Sequence, residues 1–503
     1  MEMRAGTGQR RCRLGAQGLV LACTVVPCAA QVGPLTYQNL FFNQAGAARN
    51  GDYLAADAGF VYTNNATLSN GGRGDTLAEI GLVGNTAHQG PRLDYHLDTD
   101  IAGVKYLHGS YPLEPTGYLD GGAELKLVRG TGEFSWTGRE TYSQLVINPY
   151  LPANPDNLEN INTISTGPRF ILRPTLRTTV TLDGLYAYVY THSISPRYVN
   201  IDNHRYGGSL KIERAFSSAS SLYLRGDYEK VFFNDHAINN DFWVADETLG
   251  YKIQSDRTVL DISGGYAELR QLNVLVPVVT VIGIELRPVT RKFSTPTWAF
   301  SFSRLLTPTQ RLAIFASRHV LDAANLLQAG LGEAVPPVST PQTAIGAPLI
   351  NRVIGADWRV EGPRTSLDIG LLDTRQTYEF ATASAQNRTL KDASAMVTRR
   401  LGPALDWDIG VHFERQGLTG ARAVNGTTEI TSLHWRLGGR FGLRFLYAHS
   451  TFYGINDNQV AVLATYMLLG GGKGAAPAEN AVPALSPYGL KPLSPLSTMP
   501  PPH

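Results

Sequence analysis

From Tyr53 to Leu469 the chain is written with a period of two, in stretches of about ten residues that come in pairs, joined by connections that are alternately very short and long. The plainest stretch runs Leu405, Asp406, Trp407, Asp408, Ile409, Gly410, Val411, His412, Phe413, Glu414. Its odd positions are large and apolar; its even positions are charged, polar or Gly. Successive side chains of a β-strand point to opposite faces, so this strand has one face suited to lipid and one suited to water. A sheet that spans hydrocarbon has to close on itself, because open edges leave backbone groups unpaired. A soluble sandwich shares the alternation, and the start of the chain and the distribution of its turns separate the two.

Residues 1–30 have the three parts of a secretory signal peptide: a basic head of Arg4, Arg10, Arg11 and Arg13, a mostly apolar core from Leu14 to Val26, and Cys28-Ala29-Ala30 as a small-residue cleavage site before Gln31. Two rival leaders share residues with it. Val20-Leu21-Ala22-Cys23 approaches a lipoprotein box but places a bulky Leu at its second position, and Arg10-Arg11 lacks the Phe-Leu-Lys continuation of a twin-arginine signal. All three cysteines, Cys12, Cys23 and Cys28, fall inside this segment. The mature chain is then thiol-free, which suits an oxidising periplasm and excludes disulfides and cysteine metal sites. Without the four arginines and Glu2, the 44 basic and 42 acidic residues become 40 against 41. Nothing in that balance asks for a nucleic-acid partner.

A helical membrane protein is excluded by the same text. The longest mostly apolar mature stretch, Val274 to Ile284, is broken by Pro277 and falls short of the about 20 residues a spanning helix needs. The pattern instead predicts an all-β, antiparallel up-and-down transmembrane barrel over 53–469, of roughly 20 strands within a span of 18 to 22, with 31–52 as a short periplasmic lead. Short turns at Arg129-Gly130, Arg173 to Leu176, Ser255-Asp256, Gly362 to Arg364 and Leu401 to Pro403 alternate with long loops such as Thr63 to Gly74, Gly103 to Thr116, Gln271 to Phe293 and His319 to Pro348. Barrels of outer membranes have short periplasmic turns and long extracellular loops. Within the loops, Val274 to Ile284 is apolar enough to fold inward as a constriction in preference to forming an extra hairpin. Asp322 to Ala329 reads as one or two helical turns stopped by Gly330. The Pro- and Ala-rich 470–503 reads as a disordered tail.

Alternation also assigns faces. Leu93, Tyr95, Trp136, Leu210, Leu224, Tyr228, Ile262, Trp407, Phe413, Trp435 and Phe445 are expected to meet lipid. Arg225, Asp227, Glu229, Asp406, Asp408, His412, Glu414, Arg436 and Arg444 are expected to line the lumen, because an Arg or Lys at mid-depth on the lipid face costs about 2 to 4 kcal/mol. Arg225, Asp227 and Glu229 read as one side of a cross-strand charge ladder ahead of a selectivity filter. Asp406, Asp408, His412 and Glu414, spaced to share a face, read as a wet wall ahead of a metal or acid-base site.

Phe60-Val61-Tyr62-Thr63-Asn64-Asn65-Ala66, Asp75-Thr76-Leu77, Ile80-Gly81-Leu82 and hairpin strands such as Arg177 to Tyr190 resemble the β-barrel porins, and among them the outer-membrane barrels associated with PEP-CTERM exopolysaccharide systems. The likeness covers Tyr53 to Leu469. It implies an integral outer-membrane barrel with a porin-like or polysaccharide-linked role. With the signal peptide, the expected location is the outer membrane of a Gram-negative cell, reached through the Sec route, and the expected partners are lipid and lipopolysaccharide, the barrel-assembly machinery, and polysaccharide or periplasmic export proteins. One departure stands out: many such barrels end on an aromatic residue, whereas here a Pro-rich tail follows Leu469. The insertion signal then has to lie in an internal strand such as Val460 to Leu468.

No Gly-x-Ser-x-Gly nucleophile and no His-Glu-x-x-His helix is present, and Gly470-Gly471-Gly472-Lys473-Gly474 lacks the Ser or Thr of a phosphate loop. No enzyme, cofactor or metal site is expected. The leading expectation is passage of small polar solutes or saccharides with loops as the gate, since Gln31 to Asp52 are too few to form a plug. The competing classes are a structural or assembly barrel that docks periplasmic secretion machinery through the tail, and a surface receptor or adhesin that binds through Gln271 to Phe293 or His319 to Pro348.

Overall fold

The computed structural model describes residues 53–128, 132–146, 155–194, 200–235, 241–280, 283–322, 347–378, 387–418, 423–452 and 454–469. The expected signal peptide, lead segment and tail, and the expected helical turn after Asp322, lie outside the described residues.

The chain forms twenty strands in sequence. The first seven are β1 (Tyr53–Thr63), β2 (Asp75–Gln89), β3 (Leu93–Tyr106), β4 (Glu114–Val128), β5 (Gly132–Val146), β6 (Leu158–Thr175) and β7 (Thr178–His192). They are followed by β8 (Asn203–Ala215), β9 (Ser220–Phe233), β10 (Phe242–Gln254), β11 (Thr258–Thr280), β12 (Gly283–Thr307), β13 (Gln310–Leu321) and β14 (Leu349–Glu361). The last six are β15 (Thr365–Thr377), β16 (Arg388–Gly402), β17 (Leu405–Leu418), β18 (Val424–Arg436), β19 (Phe441–Phe452) and β20 (Ile455–Leu469). Each strand pairs antiparallel with the next, and β20 returns to pair antiparallel with β1, from Leu54 opposite Leu469 to Thr63 opposite Gln459. The sheet is a closed up-and-down meander with no free edge.

One end of the barrel carries tight connections at 90–92, 176–177, 216–219, 255–257, 308–309, 362–364, 403–404 and 437–440. Their geometry follows from small polar residues: Ser255 N–H donates to Thr258 O at 2.8 Å, and the Ser255 hydroxyl accepts the Thr258 N–H at 3.2 Å. The other end carries the longer loops 64–74, 107–113, 193–202, 234–241, 322–348 and 378–387.

The segment Val274 to Ile284 departs from its expected inward constriction. It extends β11 and β12 as a hairpin, paired from Val274 opposite Val289 to Thr280 opposite Gly283. β10 stops pairing at Phe242 opposite Gln271, and β13 begins only at Trp298 opposite Arg318, so this two-stranded ribbon stands above its neighbours. The physical reason lies in the residues: Val274, Val276, Val278 and Val279 are β-branched and favour strand, and Pro277, which has no N–H to donate, is tolerated where no outer partner strand exists.

The outer wall is apolar. Leu224, Ile262, Ile409 and Phe413 all point away from the barrel, Phe413 with 53% of its surface exposed, while Asp408 and His412 between them are 4% and 1% exposed. Aromatic side chains gather on this outer wall towards both ends. Trp407, Trp435, Phe441 and Tyr466 stand near the short turns, and Tyr62, Tyr186, Tyr190, Tyr206, Tyr228 and Tyr266 lie towards the long loops.

Candidate functional site: the inner wall

Strand alternation brings Arg225, Asp227, Glu229, Asp406, Asp408, His412, Glu414, Arg436 and Arg444 to the inner face, each between outward-pointing neighbours such as Leu224, Tyr228, Trp407, Phe413, Trp435 and Phe445. They do not converge on one centre. On β9, Arg225 pairs with Asp227 of its own strand at 2.8 Å, whereas Glu229 reaches across to Arg205 of β8 at 3.0 Å. The ladder is therefore partly along the strand and partly between strands. On β17, each acid takes a different neighbour. Asp406 pairs with Arg436 at 3.2 Å, Asp408 accepts from the Ser432 hydroxyl at 2.9 Å and lies 3.0 Å from His434, and His412 meets Asp392 of β16 at 2.7 Å. Glu414 sits beside that last pair, within electrostatic range of Arg388. Arg444 is the counter-charge to Asp57, Glu79 and Asp100 on β1, β2 and β3.

The same mixture of signs runs round the lower wall. Arg139 pairs with Asp120 at 2.8 Å, Arg169 with Asp183 at 2.6 Å, Lys211 with Glu213 at 2.6 Å, and Arg359 with Glu361 at 2.9 Å. A wall of paired opposite charges presents polar groups to water at every height but no one-signed field.

Towards the long loops the inner wall changes character. Ile161, Val189, Val231, Phe233, Phe242 and Leu269 form one buried apolar cluster together with Ile201 of the loop 193–202. Val61, Leu77, Val104, Tyr106, Ile430 and Leu446 form another, joined by Ala66 of loop 64–74 and Tyr111 of loop 107–113. Tyr106 and Tyr111 meet edge to face with ring centroids 5.1 Å apart, and burial raises the Tyr111 hydroxyl pKa above its ordinary value. Three loops are thus folded inward onto the wall.

Polar contacts fix them there. The Asp75 carboxylate accepts the backbone N–H of His108 at 2.9 Å and of Ser110 at 3.2 Å, so loop 107–113 is tied to β2. Arg205, 1% exposed, spans five strands. Its guanidinium donates to Asp322, at the end of β13, at 3.2 and 2.5 Å, while holding Glu229 as well. This latch ties Asp322, at the end of β13, to β8 and β9. The phrase Thr63-Asn64-Asn65 closes the barrel seam: Thr63 donates to Asp457 at 2.6 Å, Asn64 N–H to Asn458 O at 3.1 Å, and the Asn65 amide to Asn456 O at 3.2 Å.

Sequence reasoning missed Arg205, Asp322, Asp392 and the Asp57, Glu79 and Asp100 group. Arg205 has the parity opposite to Leu210, which alternation assigns to lipid, so the signal for its face was present. The signal for its partner was not, because Asp322 lies 117 residues away.

No protein-family model and no curated protein sequence matches the chain. Among solved structures, it is similar to the FrpB iron transporter from Neisseria meningitidis, F5-1 variant in the apoprotein form (TM-score 0.43, 8% identity, 84% of this chain and 82% of that chain). It is also similar to the siderophore receptor PiuA from Acinetobacter baumannii (0.42, 8%, 83% and 82%) and to the ferric citrate transporter FecA in its unliganded form (0.44, 9%, 83% and 79%). Overlaps this loose bear on neither cargo nor mechanism. What the fold and the wall define is a closed antiparallel up-and-down β-barrel, apolar outside, with a charged lower inner wall and an apolar, loop-packed upper one.

Proposed function

We propose that this chain is an integral barrel of a Gram-negative outer membrane that passes small polar solutes or saccharides, with its long loops outside and those loops acting as the gate. One observation carries the reading: the two faces of the same strands are chemically opposed all the way round a closed sheet. A soluble monomer rarely exposes an apolar patch beyond a few hundred Å², yet here the band circles the molecule and is edged by aromatic side chains at both ends, as at the two interfaces of a bilayer. The inner wall supplies the wet path, and its balanced charges favour neutral or weakly discriminated solutes over one sign of ion. The saccharide-linked role rests on the sequence resemblance.

A surface-receptor reading has an observation of its own in the inward-folded loops, whose Ile201, Tyr111 and Asp322 occupy the outer end of the inner wall. The refolded full chain in planar bilayers and in liposome-swelling assays separates the two. A channel gives stepwise conductance and swelling in small sugars. A chain that inserts, shows heat-modifiable gel mobility and yet neither conducts nor swells vesicles removes the channel reading and leaves the receptor or assembly roles.

A further inference from the structure

Outward-pointing cations lie above the apolar band around much of the barrel, and on one side their charges are already answered. Lys230 stands over the Phe232 ring at 4.3 Å and Arg270 over Trp243 at 4.8 Å, while Glu268 pairs with both Arg270 and Lys292 at 2.7 Å. On β13 to β17 they are not. Arg318, Arg352 and Arg375 are direct register partners on three consecutive strands, and Lys391 is the direct partner of Arg415 on the next two. Arg318 donates to Pro296 O at 2.6 Å, and no ion pair among the described residues engages Arg352, Arg375, Lys391 or Arg415. Asp373, opposite Lys391 in register, is the one acid in this row.

Like charges placed directly opposite one another destabilise a sheet, and one acid against five cations leaves this face short of the anionic charge it calls for. Its shape agrees. A groove of about 450 Å³ opens between β16, β17 and β18, with Lys391 and Arg415 at its upper side and Ala393, Phe413 and Thr427 below. Asp392 and Glu414 also border it, but alternation turns their carboxylates to the inner face, where Asp392 holds His412. Beneath the cations the wall is apolar and exposed at Ile354, Leu371 and Phe413.

We infer that the outer face of β13 to β17 is a binding site for lipopolysaccharide, its phosphates held by Arg352, Arg375, Lys391 and Arg415 and its acyl chains laid on Ile354, Leu371 and Phe413. The inference rests on the membrane placement proposed above. Arginine grips phosphate through paired N–H donors and lysine as a point charge. Several cations spread over four strands match a headgroup with more than one phosphate better than a phospholipid with one.

The test uses the full chain in detergent, titrated with purified lipopolysaccharide, with the same lipid after enzymatic dephosphorylation, and with phosphatidylglycerol, each read by native mass spectrometry. The wild type is expected to bind intact lipopolysaccharide in preference to both other lipids. The double variant Lys391→Gln and Arg415→Gln loses affinity by about tenfold or more, the loss expected for a charge-assisted contact, while Lys391→Arg retains it. Equal binding of the dephosphorylated lipid, equal binding of phosphatidylglycerol, or an unchanged affinity in the double variant overturns the assignment. The dephosphorylation arm needs no variant, so a misfolded mutant does not rescue it. Conductance of the double variant is expected to equal that of the wild type, because neither side chain faces the inner wall. Should neither protein conduct, the channel reading fails while the binding arms still report.

Discussion

Arg205 is the buried cation that joins β8 and β9 to the end of β13. Its guanidinium is buried and holds Glu229 and Asp322 together, so its removal strands two carboxylates, one of them 3% exposed. Breaking a buried pair in this way costs about 3 to 5 kcal/mol. Arg205→Gln is therefore expected to lower the unfolding temperature and to release Asp322 and, on the channel reading proposed above, to raise the open fraction in single-channel recordings. Adding Asp322→Asn relieves the stranded charge without restoring the latch, so stability recovers in part while the open fraction stays high. A closed fraction equal to wild type in both variants would show that the latch does not gate. A second contrast concerns the outer face. Leu224 points outward four residues from the short-turn end of β9, where a lipid-facing Arg costs about 2 to 4 kcal/mol. Leu224→Arg is expected to impair insertion into vesicles, and Ser263→Arg, on the inner face of β11, to be tolerated; equal insertion of the two would sink the face assignment.

Strands and their pairing were the most legible part of the text. Leu405 to Glu414 alternates so strictly that its faces follow from parity alone, and the short turns fall where Gly, Pro and Ser cluster. Legibility failed where both faces turn apolar. In Val231-Phe232-Phe233 both faces of the strand carry large apolar side chains, so the contrast between lipid and lumen is lost and Val231 and Phe233 are not marked as part of an inner cluster. The ribbon of β11 and β12 was misread for a related reason: its apolar content pointed to burial, whereas its valines were strand formers. Because beyond Gln271 and before Trp298 these strands pair only with each other, excising 275–286 and closing the hairpin with a two-residue Asn-Gly turn removes no strand pairing of the barrel wall. The shortened chain is expected to keep its β-rich circular dichroism, heat-modifiable mobility and conductance. Loss of folding would mean that the ribbon is part of the wall. The seam is less forgiving: a Cβ on Gly59 would lie 2.0 Å from the backbone oxygen of Val462, so Gly59→Leu is expected to block closure of β1 on β20.

The molecule joins an apolar exterior to an interior in which many of the described charges are paired with opposites, and on the channel reading this balance decides what the pore can discriminate. Paired charges contribute little field beyond a Debye length, about 10 Å at 0.1 M salt and about 3 Å at 1 M, so the proposed pore is expected to separate cations from anions weakly. Arg444 is the exception that tests the idea, since one cation there answers Asp57, Glu79 and Asp100 on three neighbouring strands. Arg444→Glu removes the one cation named in this patch and leaves four carboxylates facing one another on the inner wall. In asymmetric KCl the reversal potential of this variant is expected to shift towards that of a cation-selective pore, and the shift is expected to fade as salt rises to 1 M, because the unbalanced field acts over a distance that salt shortens. A persistent shift at high salt would point to an altered pore shape instead of an altered field. No shift at either concentration would place Arg444 off the conducting path, and with it the claim that ions travel along this wall.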